Sequence, residues 1–480
     1  MSKLKLFIDN FLVYGLGGII SKIIPFVMVP IVTRLMPGTE YFGISDLSNT
    51  LVQFGSAIAI MGMYDAMYRM FFEKEDEAFK KSVCSTALVF TCCASVIVFF
   101  VMLLFKDELA QLFFDNKKYV YVVYLSAIAT LVGATNVIVS APTRMQNKRK
   151  VFLVTNTVGP LLSYAVAIPM LLAGYYTIAL PLAAVVSGIT LETAFGVLNH
   201  SWFDIKKFDT QLLRQLLIIA VPLLPLFLIY WLFNSCSKVM ITNMLGIGAA
   251  GIYSVGSKLG QASQLIYTAF AGGWQYFAFS TMKDEDQVQT NSMVFEYLGV
   301  ISFVVTAFVC AWSYEIFKFL FTENYLSGYV VSPYLFLAPL LLMLFQVAGN
   351  QFLVIKKTWP SMLILTAGAI LNVVLNQLLI PMIGIEGSAI ATLLGYVVAD
   401  VVLVLVLLKI KLIVINLRFI FVCTSLAGYF LFWRLYASTN LLAGNIAASA
   451  FLFLCLYLYK TEIMAVFSKL KNRRIKKEKN

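Results

Sequence analysis

Unbroken apolar runs, each long enough to cross a bilayer, recur from one end of this chain to the other. STALVFTCCASVIVFFVMLLF (85–105) and LLIIAVPLLPLFLIYWLF (216–233) are two of them. A transmembrane helix needs about 20 apolar residues. Lipid offers nothing to an unbonded backbone group, so only helices and closed barrels span it. Barrel strands alternate in polarity and are about ten residues long, unlike these runs. The fold class expected is therefore an all-α integral membrane protein. Composition agrees: 60% of the 480 residues are hydrophobic and 12% charged, where soluble domains carry about 25% charged residues. Fourteen spans are predicted near 11–36, 44–70, 82–105, 119–141, 151–173, 176–199, 215–236, 241–268, 292–321, 330–353, 360–382, 386–408, 413–434 and 441–459. The stretch 241–280 fits either one long bent helix or a helix with a re-entrant piece. The first run is too long for a cleavable leader and reads as the first span.

Basic residues fix the orientation, because Lys and Arg accumulate on the cytoplasmic side. With a cytoplasmic amino terminus, 27 of the 36 fall on inner segments and 7 on outer ones. An even number of spans then puts both termini in the cytoplasm. The net charge of +12 reflects this asymmetry, not nucleic-acid binding. The tail KLKNRRIKKEKN is expected to lie against anionic headgroups.

Several classes of chemistry are disfavoured. The seven cysteines have no framework spacing, and His200 is the one histidine, so neither a disulfide scaffold, a histidine metal cluster nor a membrane-embedded catalytic triad is expected. The loops between spans leave no room for a soluble catalytic domain. The chain is read as a non-enzyme with no cofactor and no metal.

The sequence also repeats itself. VTRLMPGTEYFGIS echoes ITNMLGIGAAGIYS, with Thr33 matching Thr242 and Gly43 matching Gly251. AIPMLLAGYYTIALPLAAVVSGITLE echoes LIPMIGIEGSAIATLLGYVVAD, aligning Pro169 with Pro381, Gly188 with Gly395 and the terminal acids Glu192 and Asp400. The offsets cluster near 210 residues, which implies that spans one to six are repeated as seven to twelve. Six is even, so the copies insert the same way up, as a parallel repeat about the membrane normal, an arrangement used by secondary transporters. The expected organisation is an amino-terminal lobe (1–205), a carboxy-terminal lobe (206–410), two further helices (411–460) and a basic cytoplasmic tail (461–480). Prolines 25, 30, 222 and 225 fall at comparable places in the first and seventh spans, where they can act as bending points or as static kinks.

PIVTRLMPGTEYFGISDL resembles the end of the first helix in bacterial polysaccharide flippases of the multidrug/oligosaccharidyl-lipid/polysaccharide exporter superfamily. VPLLPLFLIYWLFNSCSKVMITNMLGIGAAGIYSVGSKL is similar to that family's seventh and eighth helices, and AILNVVLNQLLIPMIGIEGSAIATLLGY to its eleventh and twelfth. The resemblance covers about residues 10–410. Family members often carry an Asp-Arg pair where this chain has Ser237-Lys238; the base is kept and the acid is missing. The resemblance implies a bacterial plasma-membrane flippase for polyprenyl-diphosphate-linked oligosaccharide, coupled to a proton or sodium gradient. Its partners would be the lipid-linked glycan, the bilayer, and polysaccharide polymerase or other glycan-assembly proteins. Lipid II flippase, cation-coupled multidrug exporter and membrane glycosyltransferase or polymerase are the alternatives, in that order.

A charge at the bilayer centre costs about 2.5–3.5 kcal/mol on insertion scales, so such residues face a bundle interior or a wet cavity. Lys22, Arg34, Lys238 and Lys258 are expected to make one cationic cavity that receives a diphosphate; the competing placement has Arg34 and Lys238 snorkelling to the outer surface. Glu192 and Asp400 are candidates for ion coupling or for the inner water boundary. Asn372 and Asn376, one turn apart, are candidate cavity groups or interhelical hydrogen-bond formers. Asp65 with Arg69 and Glu315 with Lys318 have the spacing of structural ion pairs.

Overall fold

The computed structural model describes residues 23–281, 284–355, 357 and 359–464. Its regular elements are all helical, with no strand among the described residues. The first is α1 (Ile23–Leu35). It is followed by α2 (Thr39–Ile60), α3 (Met63–Phe71), α4 (Glu77–Leu104), α5 (Lys106–Phe114), α6 (Val120–Met145), α7 (Arg149–Leu172) and α8 (Ala179–Asn199). Then come α9 (Thr210–Ala220), α10 (Leu224–Trp231), α11 (Ser237–Leu245), α12 (Ile247–Gly260), α13 (Ser263–Ser280), α14 (Gln287–Leu320) and α15 (Ser332–Val354). The last are α16 (Trp359–Lys409), α17 (Leu417–Phe432) and α18 (Leu441–Leu458). Ten helical stretches among the described residues are long and apolar enough to cross a membrane.

Several expected span edges move, each for a local backbone reason. The span expected at 44–70 is interrupted where Met61 and Gly62 take positive φ, 50° and 77°, which separates α2 from α3. The seventh span does not stop near 236. A π-helical turn at Leu232–Cys236 carries the chain from α10 into α11, so Thr210–Leu245 is one stretch of 36 residues. At 1.5 Å per residue it is about 54 Å long, and Lys238 lies inside it, not in a loop. Gly246 ends the stretch with φ 90°. Pro222 and Pro225 fall in the tightened turn Val221–Leu223 and the first turn of α10, so the helix is pinched there without being interrupted. The region 241–280 is three helices, α11 to α13, and not one bent rod.

α16 contains the expected eleventh and twelfth spans. Ile383 and Gly384 break it with φ −133° and 64°. Ser388 donates to the Asn376 side chain at 2.6 Å, although twelve residues in a straight helix would span about 18 Å. The chain therefore doubles back at Gly384.

Chain contacts define two compact units. One comprises residues 1–259, 321–328 and 365–395; the other comprises 260–320, 329–364 and 396–480. In the first, α6 packs against α2, α4 and α8 through small and hydroxylated residues. Ser48 and Ser126 share a 2.8 Å hydrogen bond, and a Cβ on Gly55 would meet the Thr130 methyl at 2.7 Å. Apolar attraction between helices is weak in lipid, so close approach of small residues and interhelical hydrogen bonds replace it. A second apolar cluster joins α3, α4, α6 and α9 through Met63, Met67, Cys84, Ile138, Leu212 and Leu216.

In the second unit α15 is the most enclosed helix, with 78% of its apolar window buried. α14 packs on α15, α17 and α18. Tyr429 donates to the Ala307 carbonyl at 2.6 Å. Glu296, 1% exposed, accepts from Arg418 at 2.7 Å, Asn416 at 2.6 Å and Tyr459 at 2.6 Å. Arg418 also pairs with Glu462, so α14, α17 and the end of α18 share one charged clasp. Neither expected local pair forms. Arg69 reaches Glu73 at 3.6 Å in place of Asp65, because Glu73 lies one turn onward at the open end of α3. Glu315 and Lys318, both near the end of α14, form no ion pair with each other.

Candidate functional site

Within the first unit α2 meets α11 and α12 at a crossing made by glycines. A Cβ on Gly43 would lie 2.5 Å from the Ile247 carbonyl oxygen, and one on Gly251 would lie 2.0 Å from that of Thr39. These are the two glycines that the sequence echo equates. The crossing therefore brings together the two segments that the echo pairs.

One turn along α2 from Gly43, the same crossing buries three charges. Asp46 is 6% exposed. The Lys238 ammonium of α11 lies 2.5 Å from its Oδ2, and the Lys258 ammonium of α12 lies 3.3 Å from its Oδ1. Lys238 is buried with it, whereas the Lys258 side chain keeps 26% exposure. A single carboxylate thus holds two cations, one per oxygen. An unpaired charge in this setting costs several kcal/mol, and a buried ion pair is tolerable only when its partners satisfy each other. The trio carries a net charge of +1. Continuing the echo from Gly43 and Gly251 aligns Asp46 with Ser254, and Ser254 lies beside Asp46.

A hydrogen-bond network continues from Lys238 through its neighbour Ser237. Ser237 shares 3.3 Å with the Thr392 hydroxyl and accepts from Asn376 at 3.2 Å. Asn376 also donates to the Asn372 side chain at 2.5 Å. The Tyr253 hydroxyl faces Ser237, Ser388 and Thr392. Asn372 and Asn376 are fully buried and join the two arms of α16 to α11. The Asn372 Nδ2 group has no partner.

The other expected site residues lie apart. Arg34 is exposed at the end of α1 and is not part of the Asp46 cluster. Lys22 falls outside the described residues. Glu192 is half-buried on α8, within reach of the Thr135 hydroxyl and near Cys92. Asp400 is 9% exposed in the second unit, and neither carboxylate oxygen has a hydrogen-bond partner. Cys423 of α17 lies close enough to interact with its charge. Among the described residues no group of three or more His, Cys, Asp or Glu is placed to hold a metal.

Two expectations change here. The lysines are not uncompensated: the acid missing beside Lys238 in the sequence is supplied across the crossing by Asp46. Lys238 does not snorkel, because it is buried and ion-paired. Asp46 is not among the site residues expected from the sequence; its signal there is a lone acid in the apolar stretch FGISDL, which adjoins the echoed segment.

The profile of a family described as polysaccharide biosynthesis protein matches residues 31–329. No curated protein matches the chain closely enough to count as a relative. Among solved structures, the chain is similar to the lipid II flippase MurJ in an inward closed conformation, with TM-score 0.68 and 14% identity over 94% of this chain and 100% of that one. It is similar to an inward-facing multidrug resistance MATE family transporter, with TM-score 0.64 and 13% identity over 82% of this chain and 98% of that one. It is also similar to a point mutant of the Vibrio cholerae MATE transporter VcmN, with TM-score 0.58 and 14% identity over 84% of this chain and 96% of that one. The profile covers more than half of the chain, whose fold is that of these transporters. This multi-pass membrane protein therefore belongs to the polysaccharide biosynthesis protein family.

Proposed function

We propose that the protein is a flippase that moves a polyprenyl-diphosphate-linked oligosaccharide across the bacterial plasma membrane for surface polysaccharide assembly. Both termini would be cytoplasmic, and a polymerase or other glycan-assembly proteins would take the product. The observation that carries this reading is the Asp46 carboxylate gripped by Lys238 and Lys258. Two ammonium groups already converge on one oxyanion, and a diphosphate offers the same oxygens with more charge.

The trio also ties α2 of the first repeat to α11 and α12 of the second. With residues 1–205 and 206–410 as moving lobes, a rocking motion would have to break these pairs. Separation frees the lysines when the incoming diphosphate can replace Asp46, so cargo and gate compete for the same cations. Arg34 and Lys22 would extend the basic surface beyond the trio, and Asn372 and Asn376 would hold Lys238's helix in register. Asp400 or Glu192 would carry the coupling ion. No covalent step is involved.

The test is transport of a defined polyprenyl-diphosphate oligosaccharide by the purified protein in sealed vesicles. Wild-type protein should move the glycan-lipid, and K258M should stop movement while inserting normally and losing little stability. Export of organic cations without glycan-lipid movement overturns the substrate class; movement of lipid II alone reassigns it to peptidoglycan precursor.

A further inference from the structure

The first unit contains a cavity of about 330 Å³ that the Asp46 site does not use. It lies among α3, the end of α6, the start of α7 and the end of α8. Asp46 is near the beginning of α2, and Tyr64, which lines the cavity, follows that helix's far end. Helical rise from Asp46 to the end of α2 at Ile60 is about 21 Å, and Tyr64 lies beyond the break at Met61 and Gly62. On the orientation expected from the basic residues, the cavity lies at the cytoplasmic end.

The lining is divided by hydrogen-bonding capacity. Donors come from Arg144 and Tyr64. The guanidinium donates to the Tyr64 hydroxyl at 3.2 Å, which leaves the phenolic proton and most guanidinium protons free. It also lies 4.6 Å from the Phe152 ring centre, a stacked position that holds the planar group in place. Arg144 is the one formally charged side chain in the lining, and no described carboxylate comes within ion-pair distance of it.

Acceptors come from the facing sides of α6 and α7. Ser140 donates its proton to the Val137 carbonyl at 3.2 Å, and Thr155 donates to that of Val151 at 2.9 Å. Asn156 donates through Nδ2 to the Phe152 carbonyl at 2.8 Å. With those protons committed to backbone, the groups turn oxygen lone pairs to the cavity. The Asn136 Oδ1 atom is buried with no partner, and an orphaned buried acceptor is destabilising until something donates to it.

A ligand suited to this lining brings one anionic group for Arg144 and Tyr64 and several hydroxyl or amide protons for Asn136, Ser140 and Thr155. A simple anion uses only the donors, and an apolar molecule uses neither side. The volume lies within the range of small-ligand pockets, about 300–1,000 Å³. We propose that this cavity is a second binding site, selective for a glycosyl phosphate, that engages the phosphate-proximal sugar of the cargo before it reaches the Asp46 site. The assignment to cargo rests on the flippase reading; the chemistry of the site does not.

The experiment uses the full chain in lipid nanodiscs. The probes are undecaprenyl-diphosphate N-acetylglucosamine, soluble UDP-N-acetylglucosamine, inorganic phosphate and free N-acetylglucosamine. The lipid-linked probe should bind at least tenfold more tightly than the soluble probes. R144Q and N136L should each weaken it by about tenfold or more, since one removes the anion's charged donor and the other the buried acceptor. Both variants should keep the wild-type melting temperature, and R144K should recover part of the affinity. Unchanged affinity in R144Q and N136L overturns the site. Equal or tighter binding of the soluble sugar nucleotide overturns the assignment to membrane cargo. The two readings can fail separately: vesicles that do not transport, in protein that still binds the probe through Arg144, sink the flippase and leave the site.

Discussion

Removing Asp46 is a different perturbation from removing either lysine, because each deletion leaves a different remainder. D46A leaves Lys238 buried without a counter-charge, and breaking a buried pair in this way costs about 3–5 kcal/mol. K238M takes away a charge together with its desolvation penalty and leaves Asp46 on Lys258. K258M removes the more exposed member and should cost about 1 kcal/mol or less. Melting temperatures in nanodiscs should therefore fall most for D46A and least for K258M. The double variant D46A/K238M should melt above D46A alone; if the second change lowers stability further, Lys238 is held by something other than Asp46. The lysines were legible in the sequence because bases in apolar helices are conspicuous. Their partner was not, because Asp46 is 192 residues from Lys238 and only the fold brings them together.

Helices α2 and α12 approach as closely as they do because neither has a side chain at the contact. Alanine at 251 would place a Cβ against the Thr39 backbone, and backbone cannot rotate away. G251A should cost about 1–3 kcal/mol, the usual range for overpacking, and should pry the crossing apart. In a cysteine-free background, maleimide labelling of S254C should then become faster; an unchanged rate means that the crossing is not the seal around Asp46. The clasp in the second unit gives a pH prediction. The hydrogen bond from Arg418 holds the Glu462 carboxyl below its usual 4.5. A lowered carboxyl stabilises the folded form above the unfolded value and loses that contribution as pH falls through the folded one. A spin label at M464C should thus stay ordered at neutral pH and loosen only below about pH 4.5, while E462Q should be loose at every pH. At this scale the helices were legible from apolar runs, and the echo of Gly43 and Gly251 pointed to the glycines of the α2–α12 crossing. Helix breaks were harder to read. The doubling-back at Ile383 and Gly384 and the continuity through Leu232–Cys236 depend on backbone angles that hydropathy does not record.

The proposed coupling to a gradient requires one group whose occupancy changes between the two states, and Asp400 is the residue proposed for it. Its carboxylate is buried with two orphaned oxygens, and burying an unpaired ion costs several kcal/mol. A bound proton or small cation would relieve that cost, which is what the proposed coupling role requires. Asn is nearly isosteric and neutral, so D400N should be at least as stable as the wild-type protein in cation-free buffer. A large loss of stability would show that the carboxylate has a structural partner. In proteoliposomes, wild-type flipping should accelerate when a proton or sodium gradient is imposed. D400N should equilibrate the glycan-lipid between leaflets at a rate that no longer responds to either gradient. E192Q provides the contrast, since Glu192 already has the Thr135 hydroxyl within reach and is only half-buried. If E192Q loses the gradient response and D400N keeps it, the coupling ion travels through the first unit. If both variants respond like wild type, the driving force enters elsewhere and these acids are structural. Retained exchange with lost coupling in D400N alone would separate the pathway for the glycan-lipid from the group that gives it direction.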